Sequence, residues 1–225
     1  MFKLIILLTF LYSDTQNFTI EFWGINAATV EFNIDNLIYD KEHSKSITFK
    51  TQAINLTEYI FNFNNYYETI TSNDFQNIKY FNKKTVQPGV INDITTSKID
   101  GEIIYNNSHI IIPRNHFNIF SLLSFLSNTR IHKLIKINIE REGLHYYGEI
   151  IPIEIINENT IKYELKLIKK ESVNNSILDN TDIFTWALFK KNTKKYLTID
   201  YSKNQIINCS FNSGIITMNA KNNNY

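Results

Sequence analysis

"ATVEFNID", residues 28–35, alternates without a slip. Ala28, Val30, Phe32 and Ile34 share one face of an extended chain, and Thr29, Glu31, Asn33 and Asp35 share the other. The pattern recurs along the chain. Ile47, Phe49, Thr51 and Ala53 share a face, as do Tyr59, Phe61 and Phe63. Ile135, Ile137 and Ile139 alternate with Lys136, Asn138 and Glu140, and Ile161, Tyr163, Leu165 and Leu167 with Lys162, Glu164 and Lys166. Strands dry on one face and wet on the other belong to antiparallel sheet, whereas parallel sheets buried on both faces show continuous apolar runs between long helices. The chain therefore reads as mainly β: a large curved antiparallel sheet or half-open barrel.

One segment departs from period two. In "PRNHFNIFSLLSFLSNTR", residues 113–130, Ile119, Leu122, Leu123 and Leu126 fall at helical spacing, and Phe120 and Phe125 widen the stripe. Pro113 ends the preceding strand, and Asn115 or Asn118 supplies an N-cap. A single apolar helix among strands is expected to cover or plug the open face of the sheet. Burying its four aliphatic side chains contributes roughly 6–12 kcal/mol before entropy is counted.

Composition narrows the classes. The 225 residues carry a net charge of +1, so no global field recruits nucleic acid. Cys209 is the lone cysteine, which excludes an intrachain disulfide and a cysteine-rich zinc site; a packed thiol is expected. The opening "MFKLIILLTFLYS" has one early lysine and an apolar run from Leu4 to Tyr12, short for a transmembrane helix and suited to a signal-peptide core. Residues 1–16 are read as a secretory signal in preference to an anchor or a buried first strand, residues 17–216 as one domain, and the polar tail 217–225 as disordered. No internal repeat or linker interrupts the domain. The stretch "KKTVQPGVINDITTSKIDGE", residues 83–102, is weakly patterned, with a turn at Pro88-Gly89 that suits a hinge between halves of a sheet.

The stretch "FWGINAATVEF", residues 22–32, places two strands around Gly24, whose backbone freedom suits a tight corner. This corner, the aromatic strand series through "SITFKTQAINLTEYIFNFNNYYETI", the helix "NIFSLLSFL", Gly148 in "YYGEIIP" and the late strand containing Trp186 resemble the domain of unknown function 3108 family of bacterial envelope proteins. Here Ala28 replaces the corner's second glycine, Asn118 stands where that family tends to be acidic, and Arg130 follows one turn after the position expected for arginine. The resemblance implies an exported, periplasmic β-barrel or half-barrel similar in shape to lipoprotein carriers, and no established reaction.

Motifs for chemistry are sparse. His43, His109, His116, His132 and His145 show no metal-site spacing, and there is no nucleophile elbow or phosphate-binding glycine loop. Glu140 and Glu142 around Arg141 read as a solvated strand end, Asp179 and Asp182 as turn formers. Lys190, Lys191, Lys194 and Lys195 read as a wet hairpin tip, with attraction to anionic lipid as the functional alternative. No cofactor, metal or catalytic residue is assigned.

The aromatic surplus is the stronger signal. Phe18, Phe22, Phe32, Phe49, Phe61 and Phe63 fall on faces expected to point inward, together with Leu122 and Leu126 of the helix and Trp186. Such a sheet either packs solidly or leaves room for an acyl chain. The leading expectation is a non-enzymatic envelope protein that binds a lipid or other apolar ligand. The second is an assembly factor with a filled core acting through protein partners. The third is a hydrolase whose site, with His116 and Arg130 as polar candidates, assembles only in three dimensions.

Overall fold

The structure is a computed structural model that describes residues 14–171, 176–214 and 216–225. Fourteen strands form one antiparallel sheet that curls into a nearly closed barrel. In chain order they are β1 (Asp14–Phe22), β2 (Ile25–Tyr39), β3 (Glu42–Ala53), β4 (Asn64–Ser72), β5 (Ile78–Gln87), β6 (Val90–Ile99), β7 (Glu102–Tyr105), β8 (Ile111–Ile112), β9 (Ile135–Arg141), β10 (Leu144–Ile155), β11 (Thr160–Lys169), β12 (Lys194–Asp200), β13 (Gln205–Ser213) and β14 (Ile216–Asn222). Their order runs from β8 down to β1, then from β14 down to β9. The edges are thus β8 and β9. Between them the segment after β8 makes a parallel bridge, with the Phe117 amide donating to Asn138 O at 3.0 Å and the Glu140 amide to Phe117 O at 2.8 Å.

Alternation decides which side chains go inside. Ala28, Val30, Phe32 and Ile34 are all buried, as are Ile47, Phe49, Thr51 and Ala53. Register then stacks like on like: Phe32 opposes Phe49, and Phe49 opposes Tyr67. These rings meet edge-on at 6.2 and 5.9 Å, the geometry that aromatic quadrupoles favour.

Helix α2 (Ile119–Asn128) is the expected central helix. It packs on β3, β4, β9, β12 and β13, strands from different parts of the ring, so it lies within the barrel. Asn118 caps it: its side chain accepts from the Ser121 amide at 2.9 Å, while Ser121 Oγ accepts from the Asn118 amide at 3.0 Å. Asn118 Nδ2 also donates to Thr69 Oγ1 on β4 at 2.8 Å, tying the cap to the wall. Leu122 and Leu126 are fully buried. Ser124 and Ser127 turn their hydroxyls back onto helix carbonyls, which lets them sit inside without stranded donors.

Six expectations change. Two further short helices are present, α1 (Leu56–Ile60) and α3 (Ile183–Phe189). The strand expected through Tyr59, Phe61 and Phe63 is instead α1 and its exit, because Asn55 takes a left-handed φ of 55° and ends β3. Trp186 lies on α3 rather than on a strand, since Asp182 caps a helix there by accepting from the Thr185 amide at 2.9 Å. Residues 83–102 are the β5–β6 hairpin and the start of β7, turning at Pro88-Gly89, and not a hinge. The tail expected to be disordered forms β14, which pairs with both β1 and β13; backbone pairing on two sides orders it despite its few apolar groups. Of the expected signal, residues 1–13 lie outside the described residues, whereas residues 14–16 open β1 and Gln16 is buried. Within the described residues the barrel thus extends back to Asp14, three residues before the expected boundary.

Gly148 marks a close wall contact. A Cβ there would stand 2.6 Å from Ile139 Cδ1 and 3.0 Å from Ile137 Cγ1, on a partner strand whose Ile139 has no room to move. Gly148→Val is expected to cost about 1–3 kcal/mol by overpacking, read as a lower urea midpoint with unchanged slope.

Candidate functional site

The barrel interior holds a group of charged and polar side chains that converge from separate elements. Lys83 of β5 is fully buried and pairs with two carboxylates, Glu142 and Asp182, the latter at 2.6 Å. Glu142 follows β9 in a two-residue turn with Gly143, both at positive φ (53° and 86°), the mirror-type geometry of tight hairpins. That turn directs its carboxylate inward. Thr181 Oγ1 donates to Glu142 Oε1 at 2.9 Å, and Tyr67 Oη donates to Asp182 Oδ1 at 2.7 Å. Arg141 stands 3.6 Å from Glu142 Oε2 and lies over the rings of Phe189 and Tyr146.

Glu140 completes the group. Tyr105 Oη of β7 lies 2.7 and 2.8 Å from its two oxygens, and the Gly143 amide donates to Oε1 at 2.7 Å. Burial pushes the Glu140 carboxyl up to about 7, against the hydrogen bonds from Gly143 and Tyr105 that favour the anion. Burial also raises Asp182, but the Lys83 charge and the bonds from Lys83, Thr185 and Tyr67 outweigh it and hold Asp182 below the usual carboxylate range.

A small cavity of about 20 Å³ lies among these residues, bounded by Lys83, Tyr105, Glu140, Phe120 and Phe189. This is room for about one water, far below the roughly 300–1,000 Å³ of a ligand pocket. Helix α3 roofs it. Phe184 of α3 packs on Phe49, Tyr67 and Phe120 at 4.8–6.2 Å, and the Ile183 amide donates to Gln87 Oε1 at the β5–β6 tip. A larger depression, about 450 Å³, is an open one beside β6 and β7, lined mainly by polar groups such as Asp93, Thr95, Ser97, Asn106 and Ser108.

The sequence-derived candidates separate into places. Phe32, Phe49, Leu122 and Leu126 meet in the core around α2. Phe22, Phe61 and Phe63 are half-buried at the barrel end and face no interior cavity: Phe22 packs on Trp23, and Phe61 on Phe63. Trp186 is half-exposed on the outside of α3. Gly24, at φ 80°, forms the β1–β2 turn with Trp23. His116 and Arg130 flank opposite ends of α2 and do not meet. His116 Nδ1 lies 3.0 Å from Arg114 O and its ring 5.3 Å from His145, whereas Arg130 donates to Glu158 O and lies over Tyr201. Among the described residues no group of three His, Cys, Asp or Glu side chains is arranged to hold a metal ion.

Glu140, Glu142 and Asp182 are corrections. Read as solvated or turn-forming, all three are buried. Nothing in strand alternation announces them, because β9 is an edge strand against which the opposite edge closes, so Ile139 and Glu140 are both buried although they face opposite ways. Lys195 is also buried, unlike the wet lysine expected, and burial lowers its ammonium to about 8. Cys209 is packed as expected, and burial pushes its thiol up to about 12.

Two measurements address this group. Lys83→Met leaves buried Asp182 without a cation and Glu142 with Arg141 alone, and is expected to cost about 3–5 kcal/mol, with much of the loss recovered when Glu142→Gln and Asp182→Asn are added. Glu140 has a folded-state value raised from 4.5 to about 7, so its stabilising effect is complete below 4.5 and is lost as pH rises through 7. Urea midpoints of the wild type, taken relative to Glu140→Gln, should therefore fall across that interval, by on the order of 3 kcal/mol in stability.

No family model matches the chain, and no curated protein does. Among solved structures, it is similar to the crystal structure of a β-barrel-like protein of domain of unknown function DUF1849 from Brucella abortus, with a TM-score of 0.53. The match is 8% identical in sequence and covers 94% of this chain and 96% of that one. At that identity the likeness shows the fold. This chain shares a barrel architecture with a domain of unknown function across nearly its whole length.

Proposed function

We propose that the protein is an exported, non-catalytic binding or assembly module of the cell envelope, with its interior filled by its own helices and its partners meeting it from outside. One observation carries this reading. The space in which a carrier would hold an acyl chain is occupied by α2, with Leu122 and Leu126 fully buried, and the cavity beside Lys83 and Glu140 measures only about 20 Å³.

An apolar guest inside would have to displace α2 or α3. Displacing α2 breaks the Asn118–Thr69 bond and the packing of Phe120 on Phe49 and Tyr67, and displacing α3 breaks the Lys83–Asp182 pair. Each loss is large on the scale of a single-domain stability of about 5–15 kcal/mol. The filled-core reading is therefore favoured over the carrier reading. The wide separation of His116 and Arg130 likewise supports a non-catalytic role over a hydrolase built on that pair. The apolar run Leu4–Tyr12 is what supports export.

Native mass spectrometry of the full chain purified from an envelope fraction tests it. The mass of the bare polypeptide is expected, together with no saturable response to a fluorescent fatty acid. A stoichiometric lipid adduct, or saturable fatty-acid binding, would overturn the filled-core reading.

A further inference from the structure

One end of the barrel combines groups that the core does not use. Antiparallel register places them together. Gln52 opposes Asn64, Asn64 opposes Val86, Phe22 opposes Met218 and Lys194 opposes Asn212, so the β1–β2 turn, α1, the β5–β6 turn, the β13–β14 turn and the α3–β12 connection all lie at the same rim. Around the strand order these segments are near neighbours: β5–β6, α1, β1–β2, β13–β14 and then β12. Both tryptophans of the chain are here. Trp23 at the β1–β2 turn is 60% exposed and Trp186 on α3 is 42% exposed. Next to Trp23 in ring order, on the side away from β12, the rim also carries α1, whose Tyr59 and Ile60 are 87% and 81% exposed.

Lysines accompany them. Lys190, Lys191 and Lys194 follow α3 directly, and Lys190 Nζ lies 4.7 Å from the Trp186 ring centroid. None of the ion pairs formed among the described residues involves these three. Acidic groups on the same rim are partly answered already: Glu21 pairs with Lys221, and Asp93 stands opposite Lys84. Glu58 of α1, Glu171 and Asp179 remain, away from the α3–β12 connection in sequence. The far rim also exposes isoleucines, Ile38, Ile99 and Ile155, but interleaves them with the pairs Lys98–Asp40 and Lys79–Glu42 and carries no tryptophan.

Tryptophan and tyrosine settle at the headgroup level of a bilayer, where an amphipathic ring is half dry and half wet. Lysines immediately beside them meet anionic phosphate, an attraction confined to within about a Debye length of ~8 Å at physiological salt. We propose that this rim is a docking face for an anionic lipid bilayer surface, with Trp23, Tyr59, Ile60 and Trp186 entering the interface and Lys190, Lys191 and Lys194 contacting headgroups. The barrel sits on the membrane by one end and does not span it. The proposal is independent of whether the core is filled, because it concerns lipid held in a sheet rather than one chain taken inside.

Because both tryptophans lie on this rim, selectively excited tryptophan emission of the full chain reports on it alone. The experiment is co-sedimentation and tryptophan emission with vesicles of phosphatidylcholine, or of equimolar phosphatidylcholine and phosphatidylglycerol. The expected result is binding to the mixed vesicles only, with an emission shift to the blue, quenching by brominated acyl chains, and loss of binding in high salt. Lys190→Glu with Lys191→Glu should weaken partition about tenfold or more. Tyr59→Ser with Ile60→Ser, on a separate element, should weaken it with the salt dependence retained. Both pairs are surface changes whose fold is checked by unchanged thermal midpoint. Equal binding to both vesicles, binding without an emission change, insensitivity to both variant pairs, or no binding at all would each overturn the proposal. The last result, combined with a defined protein cross-linked through position 59, would assign the rim to a protein partner instead.

Discussion

A single ammonium group joins the parts of this barrel that backbone pairing leaves apart. Lys83 of β5 reaches Glu142 at the β9–β10 turn and Asp182 at the start of α3. The sheet is open between β8 and β9, and a parallel bridge at Phe117 is a slender backbone fastening for so long a ring. Lys83–Glu142 and Tyr105–Glu140 supply side-chain fastenings across the same gap, while Lys83–Asp182 holds the roof. Buried pairs of this kind add little net stability compared with apolar packing, but they are costly to half-remove. Their value here is positional: they specify where an otherwise greasy edge must close.

The same constraint explains why the interior is full. Once α3 is held at Asp182, Phe184 lies against Phe49, Tyr67 and Phe120. The aromatic ladder across β2, β3 and β4 thus meets aromatic groups from both helices. Apolar surface that might have faced a guest is satisfied from within the chain, at roughly 25 cal/mol for each Å² removed from water. The proposal that the molecule works through its outside rests on that closure, and the proposed docking face is the apolar, lysine-flanked rim.

Much of the architecture was legible in period two. Buried alternate residues in β2, β3 and β11 match the faces expected, and α2 stands where helical spacing interrupts the strands, with Asn118 as its cap. These features are local: pleat and helix pitch impose them on any sequence that must hide alternate or every third-to-fourth side chain. The short helices were missed because five or seven residues are too few to show a period, and Asn55 and Asp182 act through backbone angle and capping instead. The tail was missed for a different reason. β14 is ordered by two neighbours distant in sequence, a source of order invisible in its own polar composition.

The buried charges show the boundary most clearly. By itself the sequence determined an antiparallel curved sheet with a helix against it, because side-chain alternation is a property of neighbours along the chain. Which carboxylates would be dry, which lysine would meet them, whether the aromatic interior would be hollow and which rim would gather both tryptophans were decided only by tertiary structure. Each depends on strand order and edge closure, which bring together residues as distant as Lys83 and Asp182 and leave no trace in local spacing.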